Sequence, residues 1–313
     1  MTRFNVVVLG GGLVGCGAAY YLARRGASVL LLEQGDLNRE ASGRNAGSLH
    51  FQLEYRLIRY GDELAAQFAK VIPLSLVALE DWRGLEAELQ THLEVEMGGG
   101  LIVAESAGDL ELLEKRQSLQ EKWGLESRLL SQAEVRGLAP YLADSVIAAG
   151  YFPHEGHANP RLVAPAFAGC AEALGARIDS QTRVTGLMRD GADWQVTFVD
   201  RAGVVHEVTA GAVLNAAGAW AGEIGAMAHV HLPMFAVPLS MNVIERTTPL
   251  IPHLVQHASK RLTLKQVSAG NVLVGGGWPS RFARDGGGMN TQRRAQPVFE
   301  NVMENLGLAS QLV

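Results

Sequence analysis

Two cysteines in 313 residues, Cys16 and Cys170, are too few for a disulfide framework, and neither stands in a Cys-x-x-Cys metal pattern. Both read as core thiols of a reducing compartment. No apolar run approaches the roughly 18 residues of a membrane span. The first apolar run is only five residues long before glycines break it, so no signal peptide is expected. Cytoplasm is the expected location, with peripheral attachment at the inner membrane left open. A positive excess is also missing: the net charge is −5 and the pI about 6.0, which argues against nucleic acid as a partner. No Lys-Ser or Lys-Thr follows Gly275-Gly276-Gly277, so that run is not a phosphate loop of the P-loop type. A metal set is lacking as well. His154, Glu155 and His157 lie across a Pro/Gly turn without a further ligand, and His229 and His231 are only a pair.

What the chain does have is a strand, Asn5–Leu9, running straight into Gly10, Gly11, Gly12 and Gly15. Leu13–Arg25 follows as a helix rich in small residues, with Gly26 as its stop. A second apolar run, Ser28–Leu32, ends in Glu33 and Gln34. This is the pattern of a dinucleotide-binding βαβ unit, and each glycine has a mechanical reason. Gly10 permits the tight turn, Gly12 lets the backbone approach a pyrophosphate, and Gly15 lets the helix pack close to the strands. The first helical turn, Leu13 and Val14 included, presents unpaired N–H groups and the positive dipole end to an anion. Glu33 comes twenty-three residues after Gly10, near the roughly 20 expected of an acid that holds ribose hydroxyls. The unit alone does not decide between NAD and FAD. A glycine-rich turn that binds nothing is the competing reading.

The stretch Ala41-Ser42-Gly43-Arg44-Asn45-Ala46-Gly47-Ser48-Leu49-His50 has no helical or strand period. It reads as a loop whose N–H groups, Ser42 and Arg44 reach the same pyrophosphate. Together with the opening unit, Ser42-Gly43-Arg44-Asn45-Ala46-Gly47 resembles the FAD-dependent amine and amino-acid oxidoreductases of the D-amino-acid oxidase type. The resemblance runs through most of the chain and implies several assignments. Ser42 to Ser48 would wrap the pyrophosphate and flavin edge, Val184 would touch the adenosine through its backbone, and the turn Ala217-Gly218 to Trp220 would lie close to the dinucleotide. It implies FAD as cofactor. In sarcosine-oxidising members, Gly47-Ser48-Leu49-His50 and Arg56-Leu57-Ile58-Arg59 have counterparts in which the second arginine fixes the substrate carboxylate. On that likeness His50, Arg56 and Arg59 are the substrate-side residues, although five residues separate His50 from Arg56 here against three in the family pattern. Two ordinary surface arginines at i and i+3 are the alternative.

The rest of the chain predicts organisation. Arg56–Trp82 is helical with a break or new first turn at Pro73; Leu93–Met97 and Leu101–Ala104 are strands; Ala107–Trp123 is an amphipathic helix. Ser131 and Glu134 have capping-box spacing, and Asn159-Pro160 opens a helix that closes at Gly175. Thr182–Met188, Trp194–Asp200 and Val204–Val208 are strands, and Ala212 onward is a parallel strand returning to the nucleotide sheet. His229 and His231 lie on a further strand, and Leu232–Ile244, Leu262–Val267 and Asn271–Val274 form an antiparallel sheet. Thr291–Leu306 is a helix. The expected fold is α/β, a Rossmann-like FAD-binding domain (1–75 and 145–228) with an inserted antiparallel-sheet substrate domain (76–144 and 229–313). Family members continue for several tens of residues with another glycine-rich segment at the flavin. A fragment, a shortened gene or a segment supplied by another chain therefore all remain open.

The expected function is oxidation of the C–N bond of an amino acid or secondary amine, of the sarcosine, glycine, D-amino-acid, opine or hydroxyproline type, by hydride transfer to flavin. Oxygen or a respiratory carrier would accept the electrons, and other subunits of a hetero-oligomer are possible partners. The alternatives are an NAD-dependent dehydrogenase and a non-catalytic subunit.

Overall fold

The computed structural model describes residues 2–54, 61–285, 288–291 and 293–313. In chain order its main strands are β1 (Arg3–Leu9), β2 (Val29–Leu32), β3 (Ser48–Leu49), β4 (Gly100–Ala104), β5 (Arg128–Ser131), β6 (Ala148–Phe152) and β7 (Gly156–His157). Then come β8 (Arg177–Asp179), β9 (Arg183–Asp190), β10 (Asp193–Val199), β11 (Val205–Asn215), β12 (Leu239–Arg246), β13 (Leu254–His257), β14 (Thr263–Gln266) and β15 (Asn271–Arg281). The chain forms two compact units, 1–45 with 89–93 and 159–236, and 46–88 with 94–158 and 237–313.

The first unit is built on a six-stranded sheet of order β8-β2-β1-β11-β10-β9. β8, β2, β1 and β11 run parallel, and β10 and β9 add an antiparallel edge. Every residue of β2 is buried, as a parallel strand covered on both faces requires. Phe198, Leu9 and Leu30 are fully buried in its core, each contributing about 1.5–3 kcal/mol by leaving water. β11 is one strand through Gly211, where two shorter ones were expected. Pairing with both β1 and β10 carries it across the glycine.

The second unit is built on a sheet of order β12-β15-β14-β13-β4-β6-β5. All its neighbours are antiparallel except the β13–β4 pair. One face packs Leu101, Val103, Val255, Leu264 and Val274 with Leu312 and Ala309 of the helix Phe299–Leu312. The other face packs Ile102 and Ala148 against Leu113 of the helix Ala107–Glu121.

The contact pattern puts the unit boundaries elsewhere than 75 and 145. Residues 46–54 and 148–158 join the second unit because β3 pairs with β7 and β6 with β4. Several element readings also change. Leu93–Met97 forms only a single bridge, Glu96 to His157, since Glu94 takes φ +55 and cannot continue a strand. His229, at φ +57, ends the helix Ala221–Met227, with Val230 N–H bonded to Gly225 O; no strand carries His229 and His231. The last helix begins at Phe299 instead of Thr291, because Gln296 and Pro297 pair with β15. β15 does not stop at its glycines but runs through them, since a Cβ at Gly276 would lie 2.3 Å from Arg261 O and only glycine fits the crossing. The expected start of a new helix near Pro73 is found: Ile72–Leu89 carries it in its first turn, after Asp62–Ala69. Arg56 and Arg59 lie outside the described residues.

Candidate cofactor cradle and substrate-side cluster

In the first unit, β1 delivers the chain to Gly10, which turns at φ +111 and donates its N–H to Leu32 O at 2.9 Å. A Cβ there would sit 2.4 Å from Ala216 O, the residue that follows β11. A Cβ on Gly15 would lie 1.9 Å from Gly10 O. Neither position admits a side chain. Gly12 is the N-cap of the helix Leu13–Arg24 and supplies no side-chain cap, and no acid stands in the first turn. Ser42 acts as the cap instead, its Oγ accepting the Leu13 N–H at 3.0 Å. The remaining first-turn donors have no intrahelical acceptor, which is the chemistry of an anion seat. Val14 beside them is 71% exposed, an apolar side chain left facing outward at the cradle's lip.

Glu33, at the end of β2, closes the cradle. Its Oε2 accepts the Gly11 N–H and its Oε1 the Gly35 N–H, each at 2.7 Å. The carboxylate is held by two main-chain donors and keeps acceptor capacity for hydroxyls. Thr182 N–H donates to Glu33 O at 2.8 Å, which ties Glu33 to the chain just before Val184 on the edge strand β9. Cys16 lies behind the turn, its thiol pushed up to about 12 by burial first and by Glu33 second, so it is inert.

The segment 41–45 is a short helix, Ala41–Arg44, instead of an irregular loop. Asn45 Nδ2 closes it by donating to Ala41 O and Ser42 O at 2.9 and 2.8 Å. A Cβ at Gly43 would press within 1.9 Å of Asn38 O. Arg44 pairs with Glu40 at 3.4 Å on the surface, so its guanidinium is aimed at a neighbouring acid. On the β11 side, Ala217 N–H donates to Asn215 Oδ1 at 3.2 Å, Gly218 takes φ +55, and Trp220 Nε1 is buried without a partner among the described residues.

Sequence reasoning missed Asn38. At φ +60 it donates its N–H to Gly11 O (3.0 Å) and its Nδ2 to Pro160 O (2.8 Å), and it leaves Oδ1 buried and unpartnered. Its signal was an asparagine in a Gly-Asp-Leu-Asn turn, a residue type that tolerates the left-handed region. Gly10, Gly12, Leu13, Gly15, Glu33, Ser42, Gly43 and Ala217 thus share one cradle. The residues present fit a dinucleotide such as FAD: glycines that let the strand, turn and helix close tightly on one another, first-turn N–H groups without intrahelical acceptors for phosphate, and an anchored carboxylate for ribose.

Ala46, Gly47 and Ser48 belong to the second unit, where Gly47 O accepts Ala158 N–H and Ser48 pairs with His157. His50 follows, its Nδ1 2.9 Å from Gln256 Nε2 of β13. Burial pushes its pKa down. The next three residues are pinned by buried polar side chains. Glu155, fully buried, accepts from Phe51 N (2.9 Å), Gln52 N (3.0 Å) and Gln52 Nε2 (3.0 Å). Gln120 Oε1 accepts Leu53 N–H at 2.8 Å, and Arg116, lowered to about 10 by burial, donates to Leu53 O. His154 sits in the turn between β6 and β7, whereas His157 belongs to β7 itself; among the described residues no three His, Cys, Asp or Glu are grouped to hold a metal.

Human mitochondrial sarcosine dehydrogenase is 32% identical over 280 residues, covering 88% of this chain and 29% of that protein. The anaerobic glycerol-3-phosphate dehydrogenase subunit A1 of Haloferax volcanii is 32% identical over 275 residues, 80% of this chain and 44% of its own length. Glycine oxidase of Geobacillus kaustophilus is 26% identical over 322 residues, 98% of this chain and 80% of that protein. The crystal structure of that glycine oxidase superposes with a TM-score of 0.82 at 23% identity, covering 100% of this chain and 79% of the other. The chain therefore spans less than a third of the sarcosine dehydrogenase and under half of the glycerol-3-phosphate dehydrogenase subunit. Residues 5–309 match the model of the DAO family, described as FAD dependent oxidoreductase, and the chain belongs to that family.

Proposed function

We propose that this chain binds FAD in the first unit and oxidises the C–N bond of an amino acid or secondary amine of the sarcosine or glycine type. The single observation that carries the reading is the cradle around Gly10, Gly12, Gly15, Glu33 and Ser42, in a chain whose relatives include sarcosine dehydrogenase and glycine oxidase. When bound, FAD supplies the two-electron acceptor, and the protein contributes binding and orientation. Gly12 and the first turn at Leu13, Val14 and Gly15 seat the pyrophosphate; Glu33 holds the ribose hydroxyls; Gln34 and the backbone at Val184 border the adenosine. Ser42, Gly43, Arg44 and Asn45 approach the phosphates, with Ala46, Gly47, Ser48, Ala217, Gly218 and Trp220 further along the cofactor. Arg44 must leave Glu40 to do so, a small cost for an exposed pair.

On the substrate side we assign His50, Arg56 and Arg59. The substrate carboxylate is gripped by a guanidinium fork that fixes the α-carbon for hydride loss, and the amine is presented neutral. Oxygen or a respiratory carrier then accepts the electrons. The two free thiols favour a reducing compartment, the cytoplasm, and among the described residues no helix is long and apolar enough to cross a membrane. The test is purification with FAD followed by turnover of an amine and amino-acid panel with an artificial electron acceptor. Flavin bands with turnover support the reading; binding of NAD in place of FAD refutes it.

A further inference from the structure

Among the described residues of the second unit, Gln52 Oε1, Arg116 Nη2, His157 Nε2 and Lys265 Nζ are buried without a hydrogen-bond partner, and the last two have no place in the mechanism. Lys265 of β14 is 2% exposed, and its Nζ has no hydrogen-bond partner among the described residues. His157 of β7 is 8% exposed, and its Nε2 is likewise unpartnered. His157 pairs with Ser48, two residues before His50; His50 is bonded to Gln256 of the neighbouring strand β13; and Glu96, near His157 Nε2, is hydrogen-bonded to Ser268 just after β14, so the fold brings the three bases toward one another, and Lys265 acts on both histidines. On β14 the side chains alternate: Leu264 lies in the core packed by Val255 and Leu101, which puts Lys265 on the opposite face with Gln256, the residue bonded to His50.

The charges around this cluster do not balance it. Glu96 is the acid that acts on Lys265, but it stands half-exposed, 3.9 Å from His157 Nε2 and hydrogen-bonded to Ser268. Glu155 is committed to Phe51 and Gln52 and faces the buried Arg116, a second cation that also acts on His50, while Glu94 acts on His157 and Glu54 on His50. An unpaired buried ammonium costs several kcal/mol unless an anion meets it.

We infer that Lys265 Nζ and His157 Nε2 form an anion-binding subsite that receives a carboxylate of the substrate. The inference rests on the proposed amine oxidation only for naming the anion as the substrate's. Lys265 donates as an ammonium and His157 as a neutral Nε2–H, since burial holds its pKa down to about 4. Burial also pushes Lys265 down to about 7, with Glu96 opposing. An anion must therefore be met by a proton above neutrality. The carboxylate grip assigned to Arg59 is tested by a separate variant.

The experiment is calorimetric titration of the flavin-loaded full chain with propionate, which carries no amine to oxidise, and with neutral propionamide. Propionate affinity should weaken about tenfold per pH unit above 7, with proton uptake visible in buffers of different ionisation enthalpy. Propionamide should not compete. Lys265→Met should weaken propionate at pH 6 at least tenfold, abolish the pH slope and leave flavin content unchanged. Because it removes an unpaired buried charge, it should also raise the unfolding temperature of the ligand-free protein. Equal propionate affinity in Lys265→Met, or a flat profile from pH 6 to 9 in the wild type, overturns the inference. If Lys265→Met fails to fold, the wild-type profile and proton uptake still decide. The same titration on the flavin-free chain separates the two readings: if FAD is never retained while propionate behaves as expected, the subsite stands and the oxidoreductase reading falls.

Discussion

Ser42 Oγ accepts the main-chain N–H of Leu13 at 3.0 Å, so a residue twenty-nine positions downstream caps the helix that follows the glycine turn. The glycine N-cap leaves the seat open, and the serine satisfies one orphan donor from the side.

Ser42→Ala is expected to destabilise the cofactor-free protein by about 0.5–2 kcal/mol, the range for a lost helix cap. FAD affinity should fall as well. Urea unfolding of both forms measures the first effect; an unchanged midpoint would remove Ser42 from the capping role.

Gly15→Ala and Gly17→Ala separate cradle from helix. A Cβ at Gly15 meets Gly10 O at 1.9 Å, whereas at Gly17 the nearest atom is Phe167 Cε2 at 3.9 Å, an ordinary contact. Gly15→Ala should abolish FAD retention, and Gly17→Ala should stabilise by about 0.5–1 kcal/mol while keeping it. Flavin content and thermal unfolding of the two variants read the contrast directly.

Glu33 accepts the Gly11 and Gly35 N–H groups and is the residue proposed to hold the ribose. Glu33→Ala should weaken FAD binding by about 1.5–3 kcal/mol, the worth of a hydrogen bond to a charged group. Fluorescence titration with FAD gives the constant, and an unchanged value would refute the assignment.

His157 links folding to pH. Its pKa is about 4 in the fold, held down first by burial and then by Lys265, against 6.5 for an ordinary histidine. The unfolded chain therefore binds a proton between these values that the folded one does not, so stability rises with pH from about 4 to 6.5. The total is about 3 kcal/mol. His157→Phe should flatten that window in chemical unfolding curves; an identical slope would show that other groups set it.

Much of this was legible because it depends on neighbours in sequence. Gly10, Gly12 and Gly15 answer a local turn, and Ser131 with Glu134 form the expected capping box, as Asn159 and Pro160 open the expected helix. β13 was not legible: Leu254-Val-Gln-His257 has no period and becomes a strand only between β4 and β14. Nor was the burial of Lys265, whose sequence setting, Thr-Leu-Lys-Gln, reads as an alternating surface strand until the opposite face is covered. Asn38 and the switch of 46–54 to the second unit likewise depend on partners more than a hundred residues away.

Arg59→Lys keeps the charge and loses the fork. Apparent substrate affinity should fall by about tenfold or more while flavin content stays constant. Equal kcat/KM for the two proteins across a panel of amino acids would mean that the carboxylate is held elsewhere.

If the cradle holds FAD and an amine reduces it, both steps are visible in one anaerobic absorbance titration of the FAD-reconstituted protein with sarcosine, glycine, D-amino acids and opines. The expected result is flavin bands that resist gel filtration and are bleached by at least one of these substrates, with Gly15→Ala colourless under the same treatment. No retained flavin at saturating FAD, or retention equal in wild type and Gly15→Ala, would contradict it.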